Sequence, residues 1–383
     1  MHTLIPAHRV TWMELFYDLV IAASMLLIYG SLAKHLSWPE FFWLSAIALV
    51  VFASWLSTTL IYNQLPADTT WRRLFIIVQM ITVVYAVAAM ESSDRVDGDV
   101  GIIALGIAML ILAAMWEAGY RSSKDRSQPY RRQAASFAIG AGFLLSAVFL
   151  PDSFNTEVFI IGALIGFVPM LAKFVPRLYT AHVIDMHHLV ERLGGLVLIM
   201  LGETFLEMSV LFTKGGSPRI FGVLLVLVLL TIVWWQYFTY VASRPVTPAA
   251  RRLEFFLLGH ASIVLGLGSA ALALTEVALA LEEEMTLPVV AGILGGSLAL
   301  VYAGMAIIVA SSTGPRSQLV ILMLATVVFG SVGVLFWATW EIDEQTLSLL
   351  MIAIALGALF LTAGTSRGAR SDTHTQIHHA PSE

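Results

Sequence analysis

Residues 187–207 read His187-His188-Leu-Val-Glu191-Arg192-Leu-Gly-Gly-Leu-Val-Leu-Ile-Met-Leu-Gly-Glu203-Thr-Phe-Leu-Glu207, a long apolar segment that nevertheless carries six ionisable groups. On an α-helix, at 100° per residue, Arg192 and Glu203 lie about 20° apart around the axis and about 16 Å apart along it. His188, Gly195 and Ile199 fall near the same stripe and Glu207 at its edge, while Glu191 points about 100° away from Arg192. A charged stripe on an apolar helix cannot face lipid cheaply. It must face protein or a water-filled cavity, and such residues are functional candidates by default.

The whole chain has the composition that this reading needs. Of its 383 residues 58% are hydrophobic and only 12% charged, against about 25% charged in soluble domains. Mean hydropathy is +0.84. The sequence therefore predicts an all-α membrane protein. The net charge of −5 gives no case for a nucleic-acid partner. The absence of cysteine excludes disulfides, a thiolate metal site and a Cys nucleophile. The first apolar run contains Glu14 and Asp18, which argues against a cleavable signal peptide.

Apolar stretches long enough to cross a ~30 Å hydrocarbon core recur along the chain. Twelve are expected, at 12–33, 39–62, 71–90, 99–120, 131–150, 155–176, 186–212, 218–242, 252–275, 287–310, 317–338 and 345–363. With the N-terminus in the cytoplasm, sixteen of the 21 Lys and Arg residues fall in cytoplasmic loops and tails and four (Lys34, Arg95, Lys214, Arg219) outside; Arg192 sits at a membrane boundary. That bias predicts an inner-membrane protein with both termini cytoplasmic. The Ser-, Thr- and His-rich residues 365–383 read as a disordered cytoplasmic tail. No metal or cofactor is assigned, His374, His378 and His379 included. Gly162/Gly166 and Gly292/Gly296 have GxxxG spacing. Packing within one protomer is the plain reading, and a homo-oligomer face stays open beside it.

The first helix reads Thr11-Trp12-Met-Glu14-Leu-Phe16-Tyr17-Asp18-Leu-Val20. Glu14 and Asp18 are one turn apart on one face. Trp12 and Tyr17 suit a headgroup-level belt. A carboxylate near a helix N-terminus is structurally ordinary. That accounts for Glu14 better than for Asp18, a turn deeper.

Glu14-Leu-Phe-Tyr-Asp18-Leu-Val, followed by His188-Leu-Val-Glu191-Arg192-Leu-Gly194 and Leu201-Gly202-Glu203, resembles the bacterial low-temperature-requirement A family. The resemblance spans about residues 9–364 and is strongest in these two helices. Gly195 departs from it, standing where a bulkier residue is expected. The resemblance implies a multi-pass membrane protein and points to Glu14, Asp18, His188, Glu191, Arg192 and Glu203; the family name records a growth requirement and implies no reaction. Glu14 and Glu191 also align at an offset of 177 residues. That offset predicts two parallel six-helix halves, residues 1–180 and 181–364.

His260, inside the ninth segment, joins the transport or ion-site candidates. Gln79 and Gln236 read as links between helices. Glu117 and Arg121 read as an interfacial ion pair. Three functions fit these residues. One is a transporter or channel for a small solute or ion, proton- or cation-linked, in which Glu203 takes the ion and His188 and Glu191 pass protons. Another is an intramembrane lipid-handling enzyme whose Arg192 holds a headgroup phosphate. In the third, a structural or signalling protein, the stripe only fixes packing. Membrane lipids are partners in all three.

The orientation has a direct check, because single cysteines are clean probes in a Cys-free chain. A cysteine at Ser93 is expected to react with an impermeant thiol reagent on intact cells, and one at Ser123 only after permeabilisation. The reverse pattern inverts the topology.

Overall fold

The computed structural model describes residues 10–32, 37–64, 70–91, 95–122, 128–171, 184–212, 217–244, 250–283, 288–312, 316–339 and 344–377. The loop positions 93 and 123 lie outside them, as do His378 and His379. Among the described residues there are twelve α-helices and no strand. They are α1 (Trp12–Leu32), α2 (Trp38–Gln64), α3 (Thr70–Glu91), α4 (Arg95–Ser122), α5 (Gln128–Ala147), α6 (Asp152–Leu171), α7 (Met186–Phe212), α8 (Ser217–Gln236), α9 (Ala250–Glu283), α10 (Pro288–Ser311), α11 (Arg316–Thr339) and α12 (Glu344–Ile377). α8 continues into a π-turn at Tyr237–Val241, closed by Ala242 N–H donating to Tyr237 O at 2.8 Å.

Nine of these helices are long and apolar enough to cross a membrane, against the twelve expected. The other three are α5, α6 and α7. α7 carries four charged residues, Glu191, Arg192, Glu203 and Glu207. α5 spends its first turns on Arg131, Arg132 and Gln133. In α6 the described apolar stretch is Thr156–Phe167. α12 is helical to Ile377, past residue 365 where the sequence reading places a disordered tail. No proline interrupts it before Pro381, so the backbone has no local reason to stop earlier.

The chain forms two compact units, divided inside α7. The first is Met1–Ile199 with Pro248–Glu254, and the second Met200–Thr247 with Phe255–Glu383. In the first, α1 packs on α2 and α3, α2 on α4 and α6, and α3 to α6 follow one another as neighbours. α2 is its interior helix, with every residue from Val50 to Ile61 buried. In the second, α8 packs on α12, α10 on α11 and α11 on α12. α11 turns Val320, Met323, Leu324, Val327, Val334 and Leu335 outward. Such a face is stable against hydrocarbon and costly against water.

Glycine sets how closely the helices approach. A methyl group added at Gly140 of α5 would meet Gly162 O at 2.6 Å, so Gly162 and Gly166 serve packing inside one protomer. The close contact of α10 with α11 is Gly295 against Gly333, where a Cβ on Gly333 would lie 2.8 Å from Gly295 Cα. The same Cβ would lie 3.4 Å from Gly292 O, whereas a Cβ on Gly296 would meet nothing within 4 Å, so the crossing uses Gly292 and Gly295 and leaves Gly296 clear. α9 and α10 meet at Gly259, whose added Cβ would lie 2.8 Å from Gly304 O and 2.6 Å from Ile308 Cγ1. Gly259→Ala is therefore expected to lower stability by about 1–3 kcal/mol, since backbone cannot yield as a side chain does. Gly357→Ala has open space and should gain about 0.5–1 kcal/mol from reduced backbone freedom. Unfolding midpoints in detergent compare the two.

Candidate functional site

α1 begins with a reciprocal cap. Thr11 Oγ1 accepts from Glu14 N–H at 3.3 Å, while Glu14 Oε2 accepts from Thr11 N–H at 2.8 Å and from Thr11 Oγ1 at 3.0 Å. This capping box satisfies two orphan donors of the helix end and fixes the Glu14 rotamer. α7 begins with Asp185, whose Oδ1 accepts from His187 N–H at 3.0 Å and His188 N–H at 3.2 Å. That is N-cap chemistry. Asn63, near the end of α2, grips the same Asp185 twice. Its Oδ1 accepts from Asp185 N–H at 2.9 Å, and its Nδ2 donates to Asp185 O at 2.8 Å. These local bonds set the depth at which α1, α2 and α7 present their polar side chains.

The side chains meet in one buried cluster within the first unit. Arg192 Nη2 lies 2.6 Å from Asp18 Oδ1, and Nη1 lies 3.0 Å from Glu14 Oε1. His188 Nε2 lies 3.2 Å from the same Glu14 Oε1. Trp55 Nε1 donates to Asp18 Oδ1 at 2.7 Å, and its ring lies beside the guanidinium with Arg192 Cζ 5.6 Å from the centroid. Thr59 Oγ1 accepts from Arg192 Nη2 at 3.4 Å. Relative exposures are 3% for Glu14, 0% for Asp18, 0% for His188 and 2% for Arg192. Charges this dry survive only when paired, and each carboxylate has a cationic or hydrogen-bonding partner. Two atoms are exceptions: Arg192 Nε and Asp18 Oδ2 are buried with no hydrogen-bond partner among the described residues. Asp18 Oδ2 faces Gly195, where an added Cβ would stand 4.0 Å away.

The other sequence candidates stand apart from this group. Glu191 is exposed, whereas Glu14, with which it aligns in the expected repeat, is buried. Glu203 belongs to the second unit, half-buried, and forms no hydrogen bond or ion pair with a described residue. His260 also belongs to the second unit, where its Nδ1–H donates to Phe256 O at 2.8 Å and its Nε2 accepts from the Tyr237 hydroxyl at 2.9 Å. With both ring nitrogens engaged by neutral partners, His260 is a satisfied core histidine. Tyr17 is 1% exposed, packed inside rather than set in a headgroup belt. Gln79 and Gln236 do link helices, through Thr58 at 2.9 Å and Thr362 at 3.3 Å. Glu117 and Arg121 pair at 2.9 Å on the surface, an interaction worth little to stability.

Trp55, Thr59 and Asn63 escaped the sequence reading. Their signal was present: they recur every fourth residue along α2, a polar stripe on one face of an otherwise apolar helix.

The pairing has a stability consequence. Arg192→Ala leaves two carboxylates buried without their cation and is expected to cost about 3–5 kcal/mol, seen as lost folded yield. Asp18→Asn combined with Arg192→Gln should be better tolerated than Arg192→Gln alone. Size-exclusion profiles and unfolding midpoints of the three variants check this, and a double variant worse than both singles counts against the pair.

The polar groups fall on the helices that carry the family-like motifs. The family described as Bacterial low temperature requirement A protein (LtrA) matches residues 9–361. No curated protein matches the chain. With nearly its whole length matched, from Arg9 before the first helix to Leu361 in the last, the chain belongs to the bacterial low temperature requirement A family of membrane proteins.

Proposed function

We propose that this protein moves a proton or a small monovalent cation across the bacterial inner membrane, both termini cytoplasmic, with Glu14, Asp18, His188 and Arg192 as the site. The observation that carries the reading is the sharing of one guanidinium by two buried carboxylates, 2.6 Å and 3.0 Å away, beside an imidazole. Such a group holds more anionic than fixed cationic charge. In a dry surrounding the difference favours uptake of a proton or cation from whichever side reaches it. A carboxylate oxygen with no donor, Asp18 Oδ2, is the natural acceptor. Glu203, on the same helix, is kept as a second station. The lipid-enzyme reading is weakened by Arg192 itself: both terminal nitrogens are already engaged by Glu14, Asp18 and Thr59, leaving little to hold a phosphate. The six-plus-six repeat rests on the 177-residue offset alone.

Flux in proteoliposomes tests this, scanned over protons, sodium and potassium across a pH range. Asp18→Asn keeps size and hydrogen bonding but cannot ionise. It is expected to cut flux at least about tenfold, equivalent to about 1.4 kcal/mol, at near-normal folded yield. Glu203→Gln is expected to abolish coupled flux while leaving expression intact. Wild-type flux and pH dependence in both variants would leave the structural reading, in which the cluster only fixes helix packing.

A further inference from the structure

Two ring nitrogens of His188 face different neighbours, and the neighbours decide where its proton sits. Nε2 faces Glu14 Oε1 at 3.2 Å, an acceptor. Nδ1 faces the Asn63 side chain, with Asn63 Nδ2 at 3.3 Å. An amide can ordinarily be turned end for end, but here the backbone of Asp185 fixes it. Asp185 N–H can only donate, and it meets Asn63 Oδ1 at 2.9 Å; Asp185 O can only accept, and it meets Asn63 Nδ2 at 2.8 Å. Turning the amide would set donor against donor and acceptor against acceptor. The second hydrogen of Asn63 Nδ2 is then the one directed at His188 Nδ1, which must accept it. A proton on Nδ1 would oppose that hydrogen.

The charged groups facing the ring among the described residues include Glu14 from α1, Arg192 one turn further along α7, and Asp185 at the start of α7, whose Oδ1 is occupied by the backbone N–H groups of His187 and His188. α2 contributes Asn63 and no charge. Arg192 already supplies the one fixed cation that Glu14 and Asp18 share.

We infer that Asn63 is a positioning residue that holds His188 as the neutral Nε2–H imidazole, so that the cluster keeps one uncompensated carboxylate charge and takes its exchangeable proton or monovalent cation at the carboxylates, not on the ring. The tautomer stands independently of the transport reading, and the location of the exchangeable cation rests on it. Within that reading, His188 serves as a fixed donor to Glu14, and the proton-passing role falls to Glu14 and Asp18. Asp18 Oδ2, undonated and opposite Gly195, is where the incoming cation is received.

The test is long-range proton–nitrogen NMR on full-length protein with labelled histidine in detergent micelles, His188 being assigned by its loss in His188→Gln. The expected result at neutral pH is the neutral Nε2–H tautomer. An Nδ1–H tautomer, or an imidazolium, overturns the inference. Asn63→Asp gives Nδ1 an acceptor and is expected to raise the imidazolium fraction; an unchanged neutral ring there removes Asn63 from the role. Should that variant not fold, the wild-type spectrum still decides. The same His188 resonance, read through the 3.2 Å approach of Nε2 to Glu14 Oε1, locates the cation. Movement with pH at fixed salt identifies a proton. Movement with sodium or potassium, but not choline, at fixed pH identifies an alkali cation. Movement with neither overturns uptake at the carboxylates. An intact tautomer in a protein without flux removes the transport reading and leaves the role of Asn63 standing.

Discussion

A guanidinium that is 2% exposed has lost its water, and the first unit is arranged around replacing it. Arg192 finds its substitutes on two other helices: Glu14 and Asp18 from α1, Thr59 and the Trp55 ring from α2. Because a buried ion pair repays desolvation only with good geometry, the three helices must hold their relative depth closely. The caps provide that. Thr11 and Glu14 fix where α1 begins, Asp185 fixes where α7 begins, and Asn63 ties Asp185 to α2. Capping chemistry at the helix ends thus serves the charged cluster, and Glu14 belongs to both.

The second unit handles burial differently, and the contrast argues for where chemistry is placed. Its buried polar groups are neutral and joined in short chains. The Tyr302 hydroxyl donates to Gln236 Oε1 at 3.1 Å, Gln236 Nε2 donates to Thr362 Oγ1 at 3.3 Å, and Ser297 Oγ donates to Ser269 Oγ at 2.7 Å. Such bonds fix helix register at modest cost. The two buried histidines among the described residues show the same division. His260 bonds to a backbone carbonyl and a tyrosine, while His188 sits between an amide and a carboxylate that also faces Arg192.

Much of this was legible in the sequence. Helical arithmetic put Arg192 on one stripe of α7 and Glu14 and Asp18 on one face of α1. Two acids on one apolar helix and an arginine on another have few places to go except toward each other. The rest depended on contacts that arithmetic does not supply. Trp55, Thr59 and Asn63 share a face of α2, but nothing in their spacing names Asp18, Arg192 or Asp185 as partners. Glu203 lies on the Arg192 stripe in sequence, yet it belongs to the other unit, because the division of the chain falls inside α7. The glycine crossing of α10 with α11 uses Gly295 with Gly292 and not Gly296, since the register follows from which backbones touch. His260 had the residue type of a site and the partners of a packing group, and only the partners distinguish the two.

The central claim is that the first-unit cluster holds one more carboxylate charge than its fixed cation neutralises, and that a mobile proton or cation makes up the difference. Infrared difference spectroscopy reads this directly, through the carbonyl stretch that a carboxyl group shows only when protonated. In the absence of alkali cations the account predicts one buried protonated carboxyl in the wild type, lost in Asp18→Asn or Glu14→Gln and lost on raising pH or, where an alkali cation competes, on adding it. Two permanently ionised carboxylates, with a spectrum indifferent to pH and to every monovalent cation, would contradict it.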